Sequence, residues 1–478
     1  MKRRDFLKKT SVMAGGLAAA NFSEMVDANH ANAFSSSGGM GIEEALYILE
    51  KGKERNVTPE VRPEIRNNPR SVFLIETHVD AQRDESGHFT EAVPQLEAAG
   101  NSIAGQLFVK GTKKGGSTFI KPNFTYVPKH CYNRTTGVYS SPDFIVGVVK
   151  HLRDIGNPNI MTGEGPTNSR IHRLGGVYDA FDPAGVFMCE AGYDRWEHFR
   201  KNELNWSNVK NSPVWKRIPH IRPVNDEDNF LINICSMKCH MTGLTTLSVK
   251  NLQGLVPKGY GQFCTSWDSL ERDAVRAGVD FKKDFRKDYY QRVEASFLKH
   301  RAAGFKRWDY FGSYKRYEEK GGWDVFKKVK DDKDAFTDFM KGISTLMRHE
   351  TWIHRGLDNA VAIDTDLNII EGIIGLDGEE LNLDQIGDDQ LCNIVIVGVS
   401  PFEVDAVGSY IMGHDPREIW YTRVAKEKGL GECDVNKIDI NWIRDGEISP
   451  VKNLAEIKRH RIGLNWARKK NPDERLFW

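Results

Sequence analysis

The chain contains no Cys-x-x-Cys pair and no ferredoxin-type cysteine run, so it lacks the ligand pattern for an iron–sulfur cluster of its own. Its seven cysteines, Cys131, Cys189, Cys235, Cys239, Cys264, Cys392 and Cys433, are odd in number and irregularly spaced, which argues against a disulfide framework. Beyond residue 33 there is no apolar run of about 18 residues, so no transmembrane helix is expected. Neither sign of charge is in excess: 67 Lys+Arg against 66 Asp+Glu leaves +1. That balance supplies no global field to draw in nucleic acid or anionic lipid. The Gly111–Gly116 string, GTKKGG, has the residue types of a phosphate-binding loop but not its spacing, and reads as a turn. No internal repeat is visible.

What is present begins at the N-terminus. Lys2-Arg3-Arg4-Asp5-Phe6-Leu7-Lys8 has the form of a twin-arginine export signal. A weakly apolar stretch from Ser11 to Ala20 and a small-residue site, Ala31-Asn32-Ala33, complete the layout of a cleavable leader. Residues 1–33 are therefore read as a signal peptide, the Tat translocase as a partner and the periplasm as the destination. That pathway carries folded proteins, often with a cofactor or bound to a cofactor-bearing partner, which raises the expectation of metal or redox chemistry.

Residues 34–70 are polar and read as a linker holding one short helix near Ile42–Lys51. Alternation of strand and helix follows. Strands are expected at 71–76, 117–122, 159–162 and 229–234. Ser141-Pro142-Asp143 opens a helix with a Ser cap, Pro at its first position and an acid in its first turn. Ala360–Asp364 reads as a strand, as does Cys392–Val399, which runs into a capping box, Ser400-Pro401-Phe402-Glu403. The pattern predicts an α/β fold with a mainly parallel sheet flanked by helices. Its core comprises residues 71–259 and 346–435, interrupted by a mostly helical, basic and aromatic insertion at 260–345. A C-terminal extension covers 436–478.

Three groups of residues carry possible chemistry. Lys238, Cys239 and His240 follow the 229–234 strand and are read as a loop, with a helix beginning near Thr245 that carries Lys250 and Asn251. Lys121 and Asn123 stand at the end of another strand. Glu164, Asp364, Glu371, Asp377 and Asp405 are the acids. Ligands of open α/β sheets sit beyond the strand C-termini, and lysines meeting there would hold an anion. Acids with His240 would move protons or, with Cys239, hold a transition metal. The competing reading of each is structural: ion-paired lysines, cysteines as small buried hydrophobes, a loop-capping histidine, and an aspartate that only complements a helix N-terminus.

The motifs Ile120-Lys121-Pro122-Asn123, Gly163-Glu164-Gly165, Lys238-Cys239-His240-Met241-Thr242-Gly243, Lys250-Asn251-Leu252-Gln253-Gly254-Leu255 and Ser400-Pro401-Phe402-Glu403-Val404-Asp405 resemble, in this order, the DUF362 family. Asp364 with Glu371 and Gly372, and Met412-Gly413, extend the resemblance over residues 71–432. The family is a domain of unknown function, and some relatives carry ferredoxin modules that this chain lacks. The resemblance implies one shared crevice lined by Lys121, Glu164, Lys238, His240, Lys250, Asn251 and Asp405. The expected function is an enzyme or enzyme-like accessory binding a small anionic or metal-associated ligand. The alternatives are a non-catalytic subunit or maturation factor of a periplasmic redox complex, and a solute-binding protein.

Overall fold

The computed structural model describes residues 41–83, 89–90, 93–124, 134–165, 176–190, 201–240, 243–257, 260, 280, 283–302, 350–379 and 387–463. The expected leader, the tail after residue 463 and most of the 260–345 insertion lie outside them. A mixed ten-stranded sheet organises the chain. In chain order its first elements are helix α1 (Ile42–Gly52), strand β1 (Val72–Glu76), α2 (Val93–Leu107), β2 (Ser117–Lys121), α3 (Pro142–Asp154), β3 (Ile160–Glu164), α4 (Val177–Ala184) and β4 (Phe187–Glu190). A separate hairpin, β5 (Leu204–Asn208) and β6 (Arg217–Ile221), leads to the long β7 (Asn229–His240), which folds back into β8 (Leu244–Thr246). Then come α5 (Ser248–Asn251), α6 (Tyr289–Ala302) and α7 (350–362). The last elements are β9 (Leu367–Glu379), β10 (Asp388–Gly398), α8 (Pro401–Ile411), α9 (Trp420–Glu427), β11 (Ile440–Arg444) and β12 (Glu447–Pro450).

The sheet order is β12-β11-β1-β10-β9-β7-β2-β3-β4, with β8 on β7. Five neighbouring strands, β9, β7, β2, β3 and β4, pair in parallel, as does β11 with β1; β10 runs against both of its neighbours. The fold is α/β with a mostly parallel sheet, as the strand–helix alternation predicts.

Burial on both faces explains why the strands are nearly continuous apolar runs. Successive side chains alternate between two cores. Phe119, Leu231, Cys235 and Met237 enter one core, together with Val249 and Leu252 beyond β8. Ile120, Ile232 and Ile234 enter the other, with Phe144, Val148 and Leu152 of α3. The α3 start follows its capping signals: Ser141 Oγ accepts from the Phe144 N–H at 3.2 Å. Two glycines let α2 and α3 touch backbone to backbone. A Cβ on Gly100 would lie 2.0 Å from the Phe144 carbonyl oxygen, and one on Gly147 2.0 Å from that of Glu97.

Four local expectations are corrected. Lys238, Cys239 and His240 are not in a loop: β7 continues through His240, with Cys235, Met237 and Cys239 alternating against Ser236, Lys238 and His240. The helix expected near Thr245 starts at Ser248 and lasts one turn, because β8 first pairs Thr245 with Cys239. Ala360–Asp364 is not a strand; residues 350–362 are helical, their apolar positions Trp352, Ile353, Leu357 and Ala360 following helical spacing. The Ser400–Glu403 capping box does not form, since Ser400 Oγ donates to the Glu403 carboxylate, which also meets Arg70 at 3.2 Å. Two segments set apart by sequence join the sheet or its covering: α1 packs into the core through Ile42, Ala45 and Leu49, and β11 pairs with β1.

Candidate functional site

Chain connectivity locates the site. From β2 the chain moves through α3, on one face of the sheet, to β3 and β4 on one side. It then returns to place β7 on the other side of β2, and the segment after β7 covers the opposite face. The crevice between the C-terminal ends of β2 and β7 is thus a topological switch point, the place where open α/β sheets bind ligands.

Lys121 ends β2 at that point and is 1% exposed. Its Nζ donates to Glu164 at 2.8 Å, to Asn251 Oδ1 at 3.1 Å and to the Pro122 carbonyl. Three acceptors require three N–H donors, so the nitrogen is an ammonium. Burial pulls its pKa down and the Glu164 carboxylate pulls it back up. Glu164 is held in turn by the N–H groups of Phe124, at 2.7 Å, and Gly165, at 2.9 Å. The backbone at Gly254 presses directly on the pair: a Cβ there would sit 2.4 Å from Glu164 Oε1 and 2.7 Å from Lys121 Cε.

Asn251 is the hub. Its Oδ1 accepts from Lys121 and from Asn123 Nδ2 at 3.0 Å, and its Nδ2 donates to Asn233 Oδ1 at 2.8 Å. Asn233 passes the chain to Asn368 Oδ1 at 2.8 Å, and Ser236 Oγ reaches Asn123 Oδ1 at 3.3 Å. Asn123, Asn233, Ser236, Asn251 and Asn368 are all buried, as their mutual satisfaction requires. The network ties β2, β7, β9 and α5 together.

Asp405 acts on the same short helix from α8. Its Oδ1 accepts from the Ser248 N–H at 2.7 Å and its Oδ2 from the Val249 N–H at 3.0 Å, so it holds the first turn of α5 rather than its own helix. Tyr421 Oη donates to Asp405 Oδ2 at 3.1 Å and contacts Thr245 Oγ1 at 3.0 Å. Complete burial raises the Asp405 pKa to about 7, against the opposing pull of its N–H donors. Glu371, also buried, is pushed up to about 8, with its Oε2 accepting from Ser141 N–H at 3.1 Å.

Lys250 stands apart from Lys121. It is part-buried, its Nζ reaches only Thr246 Oγ1 at 3.4 Å, and among the described residues no carboxylate lies within ion-pair distance of it. It lines a small cavity with Gln253, Trp352, Gly356 and Tyr421. His240 stacks on Trp352, with ring centroids 6.3 Å apart and planes 11° apart.

The structure therefore unites Lys121, Asn123, Glu164 and Asn251, links Asp405 to them through α5, and leaves Lys250 on the outer side of the same turn. It does not bring Lys238 to them: this side chain follows Ile234 and Ser236 on the α3 face of β7, where its Nζ donates to the Val138 carbonyl. Asp364 lies before β9, at the opposite, N-terminal edge of the parallel strands, its N–H bonded to Asn225 Oδ1 at 3.0 Å. Cys239 Sγ faces the Ile462 carbonyl at 3.6 Å, while the His240 ring lies on Trp352. Among the described residues no three His, Cys, Asp or Glu side chains form a group that could hold a metal ion.

Sequence reasoning missed Tyr421, Trp352, Gln253 and Asn233. Gln253 and Trp352 carried some signal, one inside the Lys-Asn-x-x-Gly string and one between His349 and His354; Tyr421 carried none. No curated protein and no solved structure matches the chain significantly. The family model of DUF362, a domain of unknown function, matches residues 118–410, more than half of the chain and every residue of the site but Tyr421.

Proposed function

We propose that this chain, which belongs to the DUF362 family, is an exported, enzyme-like protein that binds a small anionic ligand at the β2/β7 switch point and exchanges a proton with it. The observation that carries the reading is Lys250: a half-buried lysine with no carboxylate partner among the described residues, on the short helix that adjoins the switch point. A half-buried lysine without a counter-ion leaves a position that an anionic ligand fills. Lys121 has no donor left for a ligand. Its role is to brace α5, through Asn251, so that Lys250 is aimed outward.

Tyr421 lines the cavity beside Lys250 and bonds to Asp405. A carboxyl group raised to about 7 and connected to the cavity by a phenol is suited to general acid–base work near neutral pH. The leader motif at Arg3-Arg4 supports export to the periplasm.

The test is retention of small molecules by equilibrium dialysis with mass spectrometry. Protein recovered from a periplasm is offered a mixture of carboxylates and phosphate esters. The parent is expected to retain an anionic compound that Lys250→Met loses. A parent that retains none, or a Lys250→Met variant that retains the same compound equally, overturns the reading. A fusion of residues 1–33 to a folded reporter tests export, which Arg3→Lys with Arg4→Lys should block.

A further inference from the structure

Two residues that line the cavity beside Lys250 carry polar nitrogens that the protein leaves unused. Gln253 Nε2 and Trp352 Nε1 are both buried and make no hydrogen bond. Unsatisfied buried donors are rare in native structures because each costs about 1–3 kcal/mol, and two lining one cavity point to a missing acceptor. The elements hold these groups opposite one another. Lys250 on α5 and Gln253 in the 3-10 turn that follows it are three residues apart, and Trp352 and Gly356 four apart on α7, so each pair shares a face. Gly356 has no side chain where one would crowd the amide: a Cβ there would lie 3.1 Å from Gln253 Nε2. The other described lining residues are Val249, Ile353 and Tyr421, so among the described residues no carboxylate lines the cavity. The Tyr421 hydroxyl is already engaged by Asp405 and Thr245.

We infer that Lys250 Nζ, Gln253 Nε2 and Trp352 Nε1 form a seat for one small anionic acceptor, the carboxylate of a small organic acid or a halide ion. The inference rests on the anionic-ligand reading above and adds two donor residues and a size limit. The cavity takes about one water-sized group, which admits a carboxylate oxygen or a chloride ion and rejects a whole phosphate.

Isothermal titration of the full chain with sodium formate, sodium chloride and inorganic phosphate tests the seat. Formate or chloride is expected to bind and phosphate is not. Formate binding without chloride binding marks an organic acid as the ligand, and the reverse marks a halide. Gln253→Leu and Trp352→Phe each remove one donor nitrogen while keeping most of the packing volume. Each should weaken binding roughly tenfold or more, the size of a hydrogen bond to a charged group, with circular dichroism and unfolding midpoint close to those of the parent. Undiminished affinity in both variants, or preference for phosphate, overturns the seat. Should Lys250→Met alone abolish binding while both donor variants bind as the parent does, the seat fails and the wider anionic reading survives. No binding of any of the three anions by the parent sinks the seat, and the dialysis experiment then decides the wider reading by itself.

Discussion

Lys121→Met is the sharpest test of how the switch point is built. The substitution deletes an ammonium that makes three hydrogen bonds and leaves Glu164, 3% exposed, as a buried carboxylate without its lysine partner. Breaking a buried pair from one side costs about 3–5 kcal/mol, because the remaining charge is uncompensated. Replacing both partners, Lys121→Met with Glu164→Gln, removes the stranded charge, since an amide oxygen still accepts from Phe124 or Gly165. The double variant should therefore recover a substantial part of the loss, with a coupling of about 1–3 kcal/mol. Scanning calorimetry and urea unfolding followed by tryptophan fluorescence measure both quantities. At about 2–4 °C per kcal/mol for domains of 150–250 residues, the single variant should melt several degrees lower. A single variant that loses less than about 1 kcal/mol, or a double variant no better than the worse single, would refute the account of a closed ion pair bracing α5.

Gly254→Ala should destabilise by about 1–3 kcal/mol through overpacking, since its Cβ would meet Glu164 Oε1 at 2.4 Å; an unchanged urea midpoint would contradict this. Asp405 sits at about 7 in the folded chain, far above its ordinary value of 3.8, so folding takes up a proton between those values. Its contribution is fully present below about pH 4 and is lost as pH rises to about 7. Asp405→Asn should flatten that part of the stability–pH curve, and a curve of unchanged slope would count against the assignment. Asp405→Ala also strips the acceptor from the Ser248 and Val249 N–H groups and should cost about 1–2 kcal/mol, read as a lowered unfolding midpoint. Cys235, Cys392 and Cys433 are free and buried, and burial raises their thiols, the latter two to about 12 and about 11. Those three should resist thiol reagents in the native chain and react in denaturant; rapid native labelling, located by peptide mapping, would refute their placement.

Much of the architecture was legible because local rules and tertiary packing agree. The Ser-Pro-Asp start of α3, the strand ending at Lys121 and the strand running into Pro401 all follow from caps, proline geometry and apolar runs, and the structure keeps them. Alternation of strands and helices was enough for a mainly parallel sheet. The misreadings come from weighing polarity above period. Ser236, Lys238 and His240 looked like a loop because they are polar, yet Cys235, Met237 and Cys239 between them kept a period of two, and β7 runs through all six. Ala360–Asp364 looked like a strand as a short apolar run, whereas its place in a 3.6-residue pattern with Trp352, Ile353 and Leu357 makes it the end of α7.

By itself the sequence determined the inner group. Lys121, Asn123, Glu164 and Asn251 are strand-end and first-turn residues, and in an α/β sheet strand ends on neighbouring parallel strands meet at one edge. What only the tertiary structure decided is which of the lysines meet and which face out. Lys121 and Lys238 leave the sheet on opposite faces because of pleat parity across two paired strands, and one residue of register would have reversed it. Lys250 faces a cavity, and Gln253, Trp352 and Tyr421 face it too, because α5, α7 and α9 pack together although about 170 residues separate Lys250 from Tyr421 in the chain. Contacts of that separation are set by burial of the whole sheet face, and no local spacing encodes them.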